Sequence, residues 1–176
     1  RKYGKDELVY VPTGPSTNID AAFAKAPDII DNITIVMMGG SLTQPGNCNP
    51  FMEANISMDP EASNRLFATS ADITMIGLDV TMQALLTKKE TQQLRDTGTK
   101  AGAFLADMTD YYIDISEQED PAFQGGCNLH DPLAAAVAID PTLVTTFPIN
   151  LMVETEGPCV GRTIGDPSRL LSRAKN

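Results

Sequence analysis

The sequence predicts an α/β domain built on an open, mostly parallel sheet flanked by helices. Short β-rich runs alternate with helical patterns along the chain. Those runs are nearly continuous in apolar residues, as expected of strands covered on both faces. The segments after the first three runs are polar and turn-rich, the composition of loops at the carboxyl rim of a parallel sheet, where ligands bind. At 176 residues and 42% hydrophobic content, the chain is long enough for one domain with a sizeable core.

The strands are expected at Leu8 to Pro12, Ile33 to Met38, Ile73 to Leu78 and Thr146 to Val153, where β-branched and apolar residues concentrate. The first helix has Ser16, Thr17 or Asn18 as N-cap, apolar positions Ile19, Ala22, Phe23 and Ala26, and an end marked by Pro27. A second starts with Asp59 as N-cap and Pro60 at the first helical position, where a missing N–H is harmless. Further helices are expected through "KETQQLRDTG", "AGAFLADMTDYYIDISEQ" and "DPLAAAVAID". The loop "GGSLTQPGNCNPFMEAN" is long for a simple connection, a length that usually signals function. Both ends read as unfinished: "RKYGKD" reaches a strand almost at once, and "SRLLSRAKN" offers no strong terminal element. The sheet is therefore expected to be incomplete.

A net charge of −10 repels phosphate backbones and anionic lipid, so neither nucleic acid nor membrane is expected as a partner. Cys48, Cys127 and Cys159 are odd in number and form no CxxC pair, which fits a reducing cytoplasm better than a disulfide framework. No apolar run is long enough to span a bilayer, and residues 1–6 lack the core of a signal peptide. Zinc chemistry of the HExxH kind needs a second histidine, and His130 is the sole one. "GGSLT" is not the GxSxG of a serine hydrolase, and "MMGG" is not a phosphate-binding fingerprint.

Two polar groupings remain. Asp131-Pro132 ahead of "LAAAVAI" reads first as helix punctuation, although a carboxylate at a helix N-terminus is also suited to a hard cation or a sugar hydroxyl. Asn47, Asn49, Glu53 and Asn55 on the long loop read by default as a solvated segment, and together they suit a ligand carrying several hydroxyls. Gly39-Gly40 reads as a tight exit from a strand, and Tyr111 or Tyr112 as core packing or as a cover for an aromatic ligand.

The blocks "VPTGPSTNI", "IVMMGG", "GNCNPFMEANISMDPEA", "GLDVT", "HDPLA" and "EGPCVGRT" occur in the order and approximate spacing of the inosine-uridine preferring nucleoside hydrolases, and the chain resembles that family over nearly its whole length. The resemblance implies a Rossmann-like nucleoside hydrolase core. It also implies hydrolysis of the N-glycosidic bond of purine or pyrimidine ribonucleosides to ribose and free base, with a calcium-held water as nucleophile. Salvage of nucleosides and assembly as a homodimer or homotetramer come with it. Carried over position by position, Asp131 resembles the family's late calcium carboxylate, which also touches ribose, and Thr13 the residue whose carbonyl binds the same ion. Asn47 and Glu53 resemble the pair that grips the ribose 5′-hydroxyl, and Asn55 a ligand of the inner hydroxyls. Met38 corresponds to a residue lining the ribose pocket, and His130 to the acid that protonates the departing base.

The chain departs from the pattern in several respects. Ala54 stands where the family usually has an aromatic residue, and no tryptophan is present to stack a purine as the purine-specific branch does. Nothing like the family's N-terminal DxDxGxDD cluster occurs, and its final strand and helix find no counterpart before Asn176. Residues 1–176 are thus expected to be a partial nucleoside hydrolase domain, inactive alone, with a non-catalytic ribose- or nucleoside-binding module as the alternative.

Overall fold

In the computed structural model, residues 2–4, 7–119 and 125–167 are described; the closing stretch 168–176 lies outside them. The chain falls into two compact units, residues 1–80 with 130–176, and residues 81–129.

The first unit is organised by a three-stranded parallel sheet in the order β1 (Val9–Tyr10), β2 (Thr34–Met38), β3 (Asp72–Ile76). Met38 is level with Ile76, so the carboxyl ends of β2 and β3 finish together. β2 is the central strand, and its alternation divides the core. Ile35 and Met37 face one layer with Ile19 and Phe23 of α1 (Thr17–Lys25) and Leu66 of α3 (Pro60–Phe67). Val36 and Met38 face the opposite layer, with Ala134 and Val137 of α7 (His130–Ile139). A strand buried on both faces has no polar side to present, which is why its sequence reads as an unbroken apolar run. The open parallel sheet with helices on both faces agrees with the fold class expected from the sequence.

Pro27 ends α1 as expected, opening a 3-10 turn over Pro27–Asn32. Ser16 is the residue before α1, but its hydroxyl is not a cap; it is buried against the Ser63 hydroxyl at 3.1 Å. Asp59 caps α3 by accepting the Ala62 N–H at 3.0 Å, with Pro60 first in the helix. The expected repeat of that device at Asp131-Pro132 is not what forms. α7 begins one residue earlier, at His130, so Asp131 lies inside the first turn with its carboxylate not consumed as the residue preceding the helix.

Two further expectations are corrected. Only Leu151–Val153 (β6) of the stretch Thr146 to Val153 is a strand, and it pairs antiparallel with β7 (Thr163–Gly165) instead of joining the parallel sheet. Pro148 removes a ladder donor in the middle of the expected run. The β6–β7 ribbon is tied to α3 by the Val153 N–H, which donates to the Asn64 side chain at 3.0 Å, and Val153 itself joins the α1/α3 side of the core.

The second unit holds an antiparallel pair, β4 (Leu85–Thr87) with β5 (Gly126–Asn128), and two helices, α5 (Lys88–Asp96) and α6 (Lys100–Glu119). α5 opens on a capping box in which Thr87 and Glu90 satisfy each other's backbone donors. Arg95 joins the helices by pairing with Asp107 at 2.7 Å and Asp110 at 2.8 Å. Tyr111 and Tyr112 on α6 are 68% and 53% exposed, so the core-packing reading does not hold for them. Cys48, Cys127 and Cys159 are free thiols. Among the described residues, no helix is long and apolar enough to cross a membrane.

Candidate active site

The carboxyl rim of the sheet is laced together by backbone. The Met38 N–H donates to the Pro12 carbonyl at 3.0 Å, Gly39 N–H to Ile76 at 3.3 Å, and Leu78 N–H to Gly40 at 2.9 Å. Gly40, at φ 82°, lies in the left-handed region, and a Cβ there would meet Met75 Sδ at 2.7 Å and Thr163 Oγ1 at 2.9 Å. Glycine is therefore required by both backbone and space.

Glu53 is the centre of the rim. Though placed in a loop that reads as polar, it is 2% exposed. Its carboxylate accepts three backbone N–H groups: Gly40 at 2.8 Å, Asn55 at 2.9 Å and Ile56 at 3.0 Å. The last two belong to α2 (Ala54–Ser57), for which Glu53 is the N-cap. One buried side chain thus joins the exit of β2 to a helix start, and the acceptor capacity of a carboxylate, about four lone-pair sites, is not exhausted by three donors. The solvated-loop default fails for Glu53 because backbone donors, not water, satisfy it.

The neighbouring amides are oriented in the same network. Asn55 donates through Nδ2 to the Met38 carbonyl and to Met38 Sδ, both at 3.2 Å. Met38, at the end of β2, is 2% exposed. Asn47 accepts the Ala54 N–H on Oδ1 at 2.9 Å. Asn49 turns inward on its own loop, accepting the N–H groups of Phe51 and Met52 at 2.8 and 3.0 Å. Its side-chain oxygen serves the turn, so of the four loop residues Asn49 is the one committed to loop structure.

His130 and Asp131 start α7, the helix packed on the Val36/Met38 face of the sheet. Burial pushes the His130 imidazole below its ordinary range, against the upward influence of the Asp131 and Glu53 carboxylates. Burial pushes Asp131 above the usual carboxylate range; His130 opposes this and Glu53 adds to it. Both groups therefore lie within the electrostatic reach of Glu53, which is far from them in sequence. Thr13 stands beyond β1 with an exposed side chain, in a cavity of about 300 Å³ lined by residues from Tyr10 to Pro15 with Thr17 and Asn18. That cavity does not include Glu53 or His130, and the chemistry of the site rests on the hydrogen-bonded rim instead.

Asp79 and Arg162 were quoted in the sequence blocks without a role. The structure sets both against the long loop. Asp79, on the short helix α4 (Leu78–Thr81) that follows β3, accepts the N–H groups of Leu42, Thr43 and Gln44. Arg162, at the start of β7, donates to the carbonyls of Leu42, Gln44 and Phe51. Neither residue left a local pattern, because each binds backbone groups of a segment far along the chain.

Comparison with known proteins agrees with the sequence blocks. The model of the family described as inosine-uridine preferring nucleoside hydrolase matches residues 1–176. The inosine-uridine preferring nucleoside hydrolase of Leishmania major is 38% identical over 161 residues, covering 90% of this chain and 50% of that protein. Among solved structures, the purine-preferring ribonucleoside hydrolase from Gardnerella vaginalis is 65% identical with a TM-score of 0.88, covering 97% of this chain and 54% of that one. The plant nucleoside hydrolase PpNRh1 is 32% identical with a TM-score of 0.86, covering 94% and 51%. This chain spans about half the length of the relatives it matches. By the family model's match over residues 1–176 and by these relatives, the chain belongs to the inosine-uridine preferring nucleoside hydrolase family.

Proposed function

We propose that the intact protein is a ribonucleoside hydrolase that cleaves the N-glycosidic bond of purine and pyrimidine ribonucleosides to ribose and free base. The observation that carries this reading is Glu53: a buried carboxylate held by three backbone donors at the sheet rim, whose charge acts on both His130 and Asp131. The 65% identical purine-preferring relative supports purine ribonucleosides as the preferred substrates.

The chemistry asks for a grip on the sugar and a proton for the base. Cleavage develops oxocarbenium-like positive charge on the ribose and negative charge on the leaving base. With Oδ1 of Asn47 engaged by Ala54, its Nδ2 is the end offered to the 5′-hydroxyl; with Nδ2 of Asn55 engaged by Met38, its Oδ1 is offered to an inner hydroxyl. The remaining lone pair of Glu53 completes the grip on the 5′-hydroxyl, while Met38 lines the pocket and Asp131 contacts the ribose. A ribose fixed in this way is held close to the geometry its transition state needs. His130 supplies the proton to the departing base.

Calcium belongs to this proposal for the intact protein, with the Thr13 carbonyl and the Asp131 carboxylate as two of its ligands. A calcium ion takes six to eight oxygens, and among the described residues no three His, Cys, Asp or Glu side chains gather to hold a metal. These two donors do not make the site by themselves; when bound in the intact protein, the ion would orient the attacking water and lower its pKa. Salvage of nucleosides, a cytoplasmic setting and a homodimeric or homotetrameric assembly are parts of the same proposal.

The gathering of Asn47, Glu53 and Asn55 at the rim also suits a second reading, a ribose- or nucleoside-binding module without turnover. Incubating the intact protein with inosine or uridine and measuring reducing sugar separates the two. Hydrolysis predicts steady release of ribose and free base, faster with inosine. Saturable nucleoside binding with no sugar released would establish the binding module.

A further inference from the structure

Asn47 and Glu53 lie on a segment, residues 41–53, that contains no helix or strand. Two side chains from distant parts of the chain hold its backbone. Asp79 Oδ2 accepts the Leu42 N–H at 2.8 Å, and its Oδ1 accepts the Thr43 N–H and hydroxyl, both at 2.6 Å, with the Gln44 N–H at 3.2 Å. Arg162 Nη2 donates to the Leu42 carbonyl at 2.6 Å. Its Nη1 donates to the Gln44 carbonyl at 3.0 Å, the Phe51 carbonyl at 3.3 Å and the Ser41 hydroxyl at 3.3 Å.

The Leu42–Thr43 peptide is thus held at both ends of its dipole, N–H on a carboxylate and C=O on a guanidinium. Charge-assisted hydrogen bonds are stronger than neutral ones, and a planar fork can reach several acceptors in fixed directions. Arg162 also ties the start of the segment to its end, because Phe51 stands two residues before Glu53. Gly161, beside it, lies so close to Met52 and Ser57 that an added Cβ would meet them at 3.2 and 3.3 Å. Within the segment, the Gly46 N–H bonds the Pro50 carbonyl and the Cys48 N–H that of Met52, closing the arc that carries Asn47.

We propose that Arg162 and Asp79 are positioning residues for substrate: their clamp on residues 41–51 sets where Asn47 and Glu53 meet the ribose. This rests on the reading of those two residues as the ribose grip. The Asp79 carboxyl has the character of a held anchor. Burial alone would raise it, but the Thr43 hydroxyl and the N–H groups of Leu42, Thr43 and Gln44 keep it below the usual carboxylate range.

The test uses the intact protein with Arg162→Met, Arg162→Lys and Asp79→Asn, each followed by amide hydrogen exchange, ribose titration and inosine kinetics. Loss of the fork predicts exchange faster by at least about tenfold across residues 42–54, with β2 and β3 unchanged. It also predicts ribose Kd and inosine KM weaker by on the order of tenfold, with a smaller change in kcat. Arg162→Lys restores charge without the fork, so it is expected to sit nearer Met than wild type. Unchanged exchange together with unchanged KM in Arg162→Met, or full recovery in Arg162→Lys, overturns the proposal. Asp79→Asn keeps the side-chain volume and one acceptor oxygen, and provides the same readouts if Arg162→Met does not accumulate as folded protein. If wild type neither binds ribose nor hydrolyses nucleosides, the functional reading falls, while the exchange data still decide whether the clamp exists.

Discussion

Replacing His130 with alanine in the intact protein is expected to lower kcat for inosine by roughly 10²- to 10⁴-fold, the range that positioned general acids contribute. Ribose affinity should be unchanged, because the imidazole acts on the base and the sugar is held from the 41–55 segment and Asp131. The helix should survive the change. His130 is the first residue of α7, and the apolar contacts of that helix come from Ala134 and Val137 farther along. Substrates with good leaving groups, which do not need a proton, should lose far less activity than inosine. Equal losses in turnover and in ribose affinity would remove the acid role and leave His130 as a packing residue.

Glu53→Ala is expected to damage both folding and binding. It strands the N–H groups of Gly40, Asn55 and Ile56, and leaving a buried donor unsatisfied costs on the order of 1–3 kcal/mol per group before relaxation. With water entering a truncated site, a net loss of about 3 kcal/mol is the reasonable expectation, seen as a lower denaturant midpoint at unchanged m-value. Ribose binding should be lost at the same time. Glu53→Gln is the informative partner: it keeps the volume but turns one acceptor into a donor facing a backbone N–H. It should therefore recover only part of the stability. A Glu53→Ala protein as stable as wild type would show that the three donors do not depend on this carboxylate.

The sequence showed the sheet better than the site's supports. β2 was legible because both faces are buried, so every residue from Ile35 to Met38 had to be apolar. Asp59-Pro60 was legible because capping chemistry is local. The β6–β7 ribbon and the β4–β5 pair were not, since short strands whose partners lie far along the chain have too few residues to establish a period. Glu53 shows the same limit in the site. Its local neighbourhood, "GNCNPFMEAN", is polar and turn-rich, and its burial is decided by Gly40, supplied by another segment. Family resemblance pointed to Glu53, Asn55, His130 and Asp131 together; local pattern alone assigned Asp131 to a cap, and α7 starts ahead of it. Asp79 and Arg162 stood inside quoted blocks without a role, because their partners are backbone groups that carry no sequence signature.

The most direct measurement is the structure of the intact protein with an unhydrolysable inosine analogue bound. The account predicts the ribose 5′-hydroxyl within hydrogen-bond distance of Asn47 Nδ2 and the Glu53 carboxylate, an inner hydroxyl on Asn55 Oδ1, and the His130 imidazole beside the purine ring. A ribose seated elsewhere on the rim, or a base turned away from His130, would contradict it.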